Sequence, residues 1–439
     1  MLKRKLYNEL IEWKQNKSRE CLLVKGARQV GKTYLVEDFG RRNYANFIEL
    51  NFIFHPELIS VFDGSLEVDD LIMRMSAHFR NAKFVPGKTL IFLDEIQCCP
   101  NARTALKAFA LDDRFDVIAS GSLLGLHYGQ DATVKEEIPS IPVGYEKHLV
   151  MYSMDFEEFL WAVGIGDTVI EEIRGCFDKL KKVPEDINGL FMDLLRQYMV
   201  VGGMPAVVAK YVETRNYALV HSEQKKILDA YADDISRHAG ATDKVKIKKC
   251  FDSIPRQLAK ENRKFQYSVV EARGNARKFG NSVDWLKDAS VVNVCHNLSL
   301  PCFPLDAYET EGYYKVYVHD IGLLVAMYGF EMKRPLLDQS LKGPAKGGIF
   351  ENLISGMLVR RGYSPRYYKE GESNYEIEFI ISKDASVIPI EVKAKRGATV
   401  SLNSFIERFN PDIAYKFIDG NIGVEGKKVS LPHYMAMFL

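Results

Sequence analysis

Lys32 and Thr33, Asp94 and Glu95, and a distal set of Glu351, Glu378, Glu391 and Lys393 are the residues of this 439-residue chain whose types and spacing suit chemistry. The first two close the segment Gly26-Ala27-Arg28-Gln29-Val30-Gly31-Lys32-Thr33. The apolar run Cys21–Val24 precedes it, and Tyr34–Phe39, suited to a helix, follows. A Gly-x-x-x-x-Gly-Lys-Thr loop between a strand and a helix is a phosphate cradle. Glycines let backbone N–H groups approach phosphate oxygens, the lysine places a charge on the β- and γ-phosphates, and the threonine hydroxyl is a Mg²⁺ ligand. The helix N-terminus adds a favourable dipole for an anion. All eight residues are therefore candidate contacts for ATP, with Lys32 also a catalytic cation.

Thr89-Leu90-Ile91-Phe92-Leu93-Asp94-Glu95 reads as a buried strand ending in two acids, the Walker B arrangement. Asp94 is placed to hold Mg²⁺ together with Thr33, and Glu95 to polarise the attacking water. A protein that only binds nucleotide has no need of the second acid, so Glu95 points to hydrolysis. A third strand, Phe115–Ala119, runs into Ser120-Gly121-Ser122. Either serine could sense the γ-phosphate from a neighbouring strand tip, although Ser-Gly-Ser is also ordinary turn chemistry.

The distal set has a different logic. Glu351 falls on a helical stretch, 349–361, at the flank it shares with Ile354 and Leu358. Glu376 and Glu378 alternate with Ile377 and Phe379 along one strand, and Glu391 and Lys393 share a face of the next. An acid followed thirteen residues later by Glu-x-Lys is the layout of the PD-(D/E)XK nuclease core. In that core carboxylates bind Mg²⁺ and the lysine positions or activates water for phosphodiester cleavage. Surface acids on amphipathic strands would spell the same letters. The first of the strand acids is usually Asp. Here it is Glu378, with Glu376 as a competitor, which puts cleavage in doubt.

These residues need scaffolds, and the chain alternates accordingly. Apolar strands at 20–25, 46–51, 89–93, 115–119 and 147–152 interleave with helical segments, the pattern of a parallel α/β sheet. Segment 123–146, with Gly125, Gly129, Pro139, Pro142 and Gly144, predicts a loop or short hairpin over the nucleotide face. Asp155, with Glu158 three residues on, predicts a capped helix start. Helical pattern then runs to about 238, broken at Gly202-Gly203-Met204-Pro205. Between 240 and 330 lies a basic stretch: Lys244, Lys246, Lys248, Lys249, Arg256, Lys260, Arg263, Lys264, Arg273, Arg277 and Lys278. Helices at 246–260 and 281–289 followed by a strand at Val291–Asn297 suggest a winged-helix module that binds nucleic acid; a solvated charged face accounts for the same residues equally well. A linker is expected at Lys342–Gly348, and strands near 364–369, 375–381 and 387–393 after it. The expected divisions are 1–165, 166–335 and 340–439.

Composition excludes several classes. Charge is balanced, 59 basic against 58 acidic residues, and 47% of residues are hydrophobic, which suits a soluble globular protein with sizeable cores. No run approaches the roughly 18 apolar residues of a membrane span, and the start of the chain, Met1-Leu2-Lys3-Arg4-Lys5-Leu6, turns polar too soon for a signal peptide. Seven scattered cysteines without zinc spacing read as reduced thiols in a cytoplasmic protein.

Along its whole length the chain resembles the prokaryotic AAA-type ATPases that have an N-terminal AAA domain and a C-terminal domain of unknown function. The resemblance rests on Gly26–Thr33, Leu93-Asp94-Glu95-Ile96-Gln97, Met154–Leu160, Gly202-Gly203-Met204-Pro205, His319-Asp320-Ile321-Gly322-Leu323-Leu324, Gly348-Ile349-Phe350-Glu351-Asn352 and Pro389-Ile390-Glu391-Val392-Lys393. It implies an α/β protein with an AAA-like P-loop sheet, a helical and winged-helix middle and a nuclease-like C-terminal α/β domain. It does not settle the biological role; the phosphate loop, the paired acids and the basic stretch together point to an ATP-driven switch or motor acting on DNA or another nucleic acid. A nucleotide-gated protein-interaction module with an inert nuclease-like scaffold, or an ATP-gated nuclease, are the rivals. Many members carry a Gly-Arg pair where this chain has Ser140-Ile141-Pro142-Val143-Gly144-Tyr145, so no arginine finger is assigned there.

Overall fold

The computed structural model describes residues 2–16, 20–121, 144–239, 243–371, 375–394 and 399–439. They form two units, Arg4–Tyr152, and Ser153–Leu439 together with the residues up to Lys3.

In the first unit, strands β1 (Cys21–Lys25), β2 (Asn46–Asn51), β3 (Thr89–Asp94), β4 (Asp116–Gly121) and β5 (Glu146–Val150) make a parallel sheet in the order β2-β3-β4-β1-β5. Helices α1 (Leu6–Asn16), α2 (Lys32–Asn43), α3 (Val68–His78) and α4 (Pro100–Asp112) complete it. β1 and β3 are buried at every position, as apolar runs without alternation require of strands covered on both faces. Leu22, Leu23, Val24, Leu90, Ile91, Phe92, Leu93 and Ile118 supply the centre of this core. The insertion of β4 between β1 and β3 matters for function. Because all three strands run the same way, their C-terminal ends lie on one edge, where open α/β sheets bind ligands. Ser122 and nearly all of 123–146 lie outside the described residues.

The second unit starts with α5 (Phe156–Ala162), whose predicted capping box is present: Asp155 accepts from the Glu158 amide at 2.8 Å and Glu158 accepts from the Asp155 amide at 3.1 Å. Such a cap stabilises a helix by about 1 kcal/mol. Helices α6 (Asp167–Asp178), α7 (Glu185–Val201), α8 (Pro205–Thr214) and α9 (Tyr217–His238) follow. The expected break between α7 and α8 is where the chain meets a buried carboxylate. Asp320 accepts from the Gly203 amide at 2.7 Å and from Ser153 Oγ at 2.9 Å, and it caps a later helix through the Leu323 amide. Arg360 donates to Ser153 Oγ at 2.6 Å and to the His319 carbonyl at 2.9 Å. Segments far apart in sequence are thus joined through polar groups that burial obliges to find partners.

The basic stretch forms α10 (Asp243–Leu258), a short α11 (Tyr267–Val270), α12 (Ala276–Asp288) and an antiparallel ribbon, β6 (Val292–Leu298) with β7 (Glu309–Val318). After α13 (Ile321–Tyr328) and α14 (Lys333–Leu337) comes α15 (Pro344–Arg360). The expected linker is therefore corrected: from Pro344 onward its residues are the first turns of a helix. Proline suits a first helical position, and Gly348 is needed for contact, since a Cβ there would lie 2.2 Å from the Leu258 carbonyl oxygen. Strands β8 (Arg366–Lys369), β9 (Glu376–Lys383) and β10 (Ser386–Val392), helix α16 (Val400–Phe409), and strands β11 (Ala414–Ile418), β12 (Gly423–Glu425) and β13 (Lys428–Pro432) end the chain. The sheet order is β12-β13-β11-β10-β9-β8-β6-β7, so one eight-stranded sheet holds both the ribbon and the C-terminal strands. β6 joins through a parallel pairing with β8, at Asn297–Tyr367 and Leu298–Tyr368.

Candidate functional site

Two clusters merit description, and the first lies at the C-terminal edge of the parallel sheet. The backbone leaves β1 at Lys25 and turns through Gly26, where a Cβ would lie 2.1 Å from the Met151 carbonyl oxygen; only glycine fits. Gly31 closes the loop at φ 94° and α2 begins at Lys32. Lys32, 6% exposed, donates to the Gly26 and Ala27 carbonyls at 3.1 and 2.9 Å. Its ammonium is thus held inside the loop that the sequence predicts to hold phosphate.

Asp94 is the hub of the site. Thr33 Oγ1 donates to Oδ2 at 2.9 Å, Asn51 Nδ2 donates to the same oxygen at 2.8 Å, and Ser120 Oγ donates to Oδ1. The strand order explains the meeting. β4 is flanked by β1 and β3, with Ser120 level with Val24 and Ala119 level with Leu93, so Ser120 reaches sideways to the tip of β3. Burial raises the Asp94 pKa above the ordinary carboxylate value, and the hydrogen bonds from Ser120 and Thr33 oppose that rise. A hydroxyl and a carboxylate side by side at the end of a phosphate loop are hard oxygen donors and fit Mg²⁺.

Glu95 follows in the left-handed region, at φ 58° and ψ 46°, and its carboxylate accepts from Gln97 Nε2. This backbone state turns the side chain out of the strand direction. Arg28 is half-buried, Gln29 is exposed at φ 63°, and Val30 is buried.

Three members of this site escaped sequence reasoning. Asn51 ends β2 and contacts Asp94 while accepting from the Ile53 and Phe54 amides. Gln97 partners Glu95. Arg4 donates to the Val30 carbonyl at 2.9 Å and the Tyr152 carbonyl at 2.6 Å, clamping the loop from a distant segment. Only strand order could have signalled the first, and nothing local signals the last.

The second cluster is in the eight-stranded sheet. β9 and β10 pair antiparallel as far as Ile390–Phe379, which leaves Glu378 and Glu391 as the next facing pair. Lys393 lies between them, 3.0 Å from Glu391 and 3.4 Å from Glu378. Glu378 is buried, which raises its pKa to about 7 against the attraction of Lys393. Glu391 Oε2 is buried without a hydrogen-bond partner.

Glu351 is buried on α15 and engaged elsewhere: Arg263 donates to Oε1 at 2.6 Å, and Lys315 at 3.2 Å and Tyr317 at 2.9 Å donate to Oε2. Lys315 also donates to Glu376 at 2.5 Å. The neighbouring Asn352 bridges the Val318 amide and carbonyl, docking α15 on β7. The structure thus brings Glu378, Glu391 and Lys393 together and gives Glu351 and Glu376 to Lys315.

One expectation about the basic stretch is overturned. Arg263 is not a surface charge for phosphate: its side chain is 15% exposed and paired with the buried Glu351 carboxylate, which compensates the cost of its burial. Lys249 and Lys278 both bind Glu271, drawing its pKa down to about 2. Lys248, Lys260, Arg273 and Arg277 are exposed.

The seven cysteines are free thiols. Among the described residues, no helix is long and apolar enough to cross a membrane.

The first cluster lies within a segment that matches a known family. Residues 18–160 match the AAA domain family, residues 192–334 match a domain of unknown function (DUF8612), and residues 346–431 match another (DUF4143). No protein of curated function matches. Among solved structures, the Walker-type ATPase of Pyrococcus abyssi is similar at 14% identity and TM-score 0.43, over 75% of this chain and 96% of that one. AMPPCP-bound DnaA from Aquifex aeolicus is similar at 12% identity and TM-score 0.29, over 65% and 88%. A signal-transduction ATPase with numerous domains from Pyrococcus horikoshii is similar at 12% identity and TM-score 0.26, over 82% and 46%. The first unit thus has a parallel P-loop-type sheet and a segment similar to the AAA domain family.

Proposed function

We propose that the chain is an ATP-hydrolysing switch whose nucleotide state governs binding of nucleic acid by Ser153–Leu439. The observation that carries the ATPase reading is the convergence of Thr33, Asn51 and Ser120 on Asp94 beside the Lys32 loop. In turnover, Lys32 exchanges its two carbonyl partners for the β- and γ-phosphate oxygens of ATP. The loop amides orient the triphosphate, and Ser120 reports the γ-phosphate through its bond to Asp94. Thr33 and Asp94 would hold Mg²⁺, which would supply charge neutralisation at the phosphates. Glu95 leaves Gln97 to orient water for in-line attack and draws its proton.

The nucleic-acid reading is supported by three helices followed by a ribbon, α10 to β7, and by the exposed basic residues Lys248, Lys260, Arg273 and Arg277. A second reading, a nucleotide-gated protein partner, is favoured by the pairing of Lys246 with Asp243 and of Lys249 and Lys278 with Glu271. An ATP-gated nuclease is favoured by the meeting of Glu378, Glu391 and Lys393. Free thiols throughout suit a cytoplasmic setting. ATPase rates measured with duplex DNA, with RNA and with protein fractions separate these readings. Stimulation by DNA or RNA supports the proposal, stimulation only by protein replaces it with the second reading, and absence of basal turnover refutes the ATPase assignment. Metal-dependent cleavage of plasmid, lost in Lys393→Ala, would establish the nuclease.

A further inference from the structure

We infer that the C-terminal carboxylates form a closed ion cluster neutralised by the protein's own cations, Lys315, Arg263 and Lys393, in place of a divalent metal. The inference stands apart from the ATPase reading. A nuclease-like core implies Mg²⁺ between these acids, and the side chains present can be tested against that requirement. Mg²⁺ takes carboxylate oxygens at about 2.0–2.1 Å in near-octahedral geometry and keeps several waters. Here every carboxylate oxygen but Glu391 Oε2 already faces a cation or an N–H group. Lys315, 1% exposed, stands between Glu351 and Glu376 at 3.2 and 2.5 Å, and Arg263 holds the other oxygen of Glu351 at 2.6 Å. Lys369 lies 3.6 Å from the second oxygen of Glu376. Lys393 spans Glu391 and Glu378.

Topology makes the arrangement firm. Lys315 and Tyr317 lie two apart on β7, so both side chains leave one face toward α15. Arg263 comes from the connection between α10 and α11. The cations that meet Glu351 therefore arrive from before the C-terminal strands, Lys315 because its ribbon shares their sheet. A divalent ion entering here would meet a buried ammonium and a buried guanidinium instead of water. Among the described residues, no group of three or more His, Cys, Asp or Glu side chains is placed to hold a metal. Glu391 Oε2, buried and unpartnered, is the oxygen through which a metal would have to enter. The cluster instead ties the ribbon to the C-terminal strands, because breaking a buried ion pair on one side leaves an uncompensated charge.

The test is Mn²⁺ titration of the full nucleotide-free chain followed by electron paramagnetic resonance, comparing the parent with Glu391→Gln and Glu378→Gln. Any Mn²⁺ bound at Thr33 and Asp94 is common to all three. The expected result is equal Mn²⁺ binding; loss of a bound equivalent in either variant, with circular dichroism unchanged, overturns the inference. A second arm reads stability. Lys315→Met should melt well below the parent, and adding Glu376→Gln should recover part of the loss. A Lys315→Met protein that melts with the parent also overturns it. If Glu391→Gln fails to fold, Glu378→Gln and the melting arm still decide.

Discussion

Replacing Asp94 by Asn and by Ala should have unequal consequences for stability and the same consequence for turnover. Asp94 receives three donors, from Thr33, Asn51 and Ser120. In Asp94→Asn the new amide has one orientation without conflict. Its oxygen stays at the Oδ2 position, facing Asn51 and Thr33, and its NH₂ faces Ser120, whose hydroxyl rotates to accept. The bonds persist in neutral form, each weaker by about 1 kcal/mol. The desolvation cost of a buried carboxylate disappears in exchange, so net stability should change by no more than about 1–2 kcal/mol. Asp94→Ala leaves three donors facing a void. At about 1–3 kcal/mol for each one left unsatisfied, it should lose about 3 kcal/mol or more, less whatever water recovers. Both variants lack the charge that holds Mg²⁺, and turnover should fall by roughly 10²–10³ in each. Urea denaturation at several pH values gives the first quantity and a coupled ATPase assay the second. The parent should also carry a pH signature. Because the folded-state pKa of Asp94 is raised, the folded protein holds its proton longer, and stability falls as pH rises from the ordinary carboxylate value through the folded one. Asp94→Asn lacks that slope. Equal destabilisation by Asn and Ala, or turnover retained in Asn, would refute the view of Asp94 as a charged hub.

Lys32→Ala should weaken ATP binding by about tenfold for each 1.4 kcal/mol of phosphate contact removed, and calorimetry showing parental affinity would discard the loop as the nucleotide site. Glu95→Gln should bind ATP yet turn over roughly two orders of magnitude more slowly; unchanged turnover would assign the water to another residue. Reversal of Lys248, Lys260, Arg273 and Arg277 to Glu should abolish binding to duplex DNA, and parental binding should fall with salt at a log–log slope near −0.9 per contact; fluorescence anisotropy with no binding at low salt favours the protein-partner reading. Glu378→Gln should remove a stability loss that the parent shows as pH rises from about 4.5 to about 7, because the buried acid's raised pKa makes the protonated, low-pH state the more stable; chemical denaturation across that range would expose an unaltered slope.

Local pattern determined much of this protein. The phosphate loop, the paired acids of β3, the five strands of the first sheet and the capped start of α5 were readable because each depends on a few consecutive residues and on a strand or helix period. The spacing from Glu378 to Glu391 likewise placed two acids in register, since a hairpin converts sequence distance into facing pairs. What surrounds these groups was decided only by the fold. Asn51 touches Asp94 because β2 lies beside β3, and Ser120 does so because β4 is inserted between β1 and β3. Arg263 reads as one more positive charge in a basic stretch, yet burial beside Glu351 makes it a structural ion. Gly347 and Gly348 read as a linker, yet they let α15 approach its neighbours. Lys315 has no motif at all, and it stands between Glu351, a candidate acid of the distal set, and Glu376, the competitor to Glu378. The physical reason is common to all of them. Periodicity and turn chemistry act over a few residues, whereas the partner of a buried charge is chosen by whichever distant segment the packing brings within about 3 Å, and a buried charge must have one.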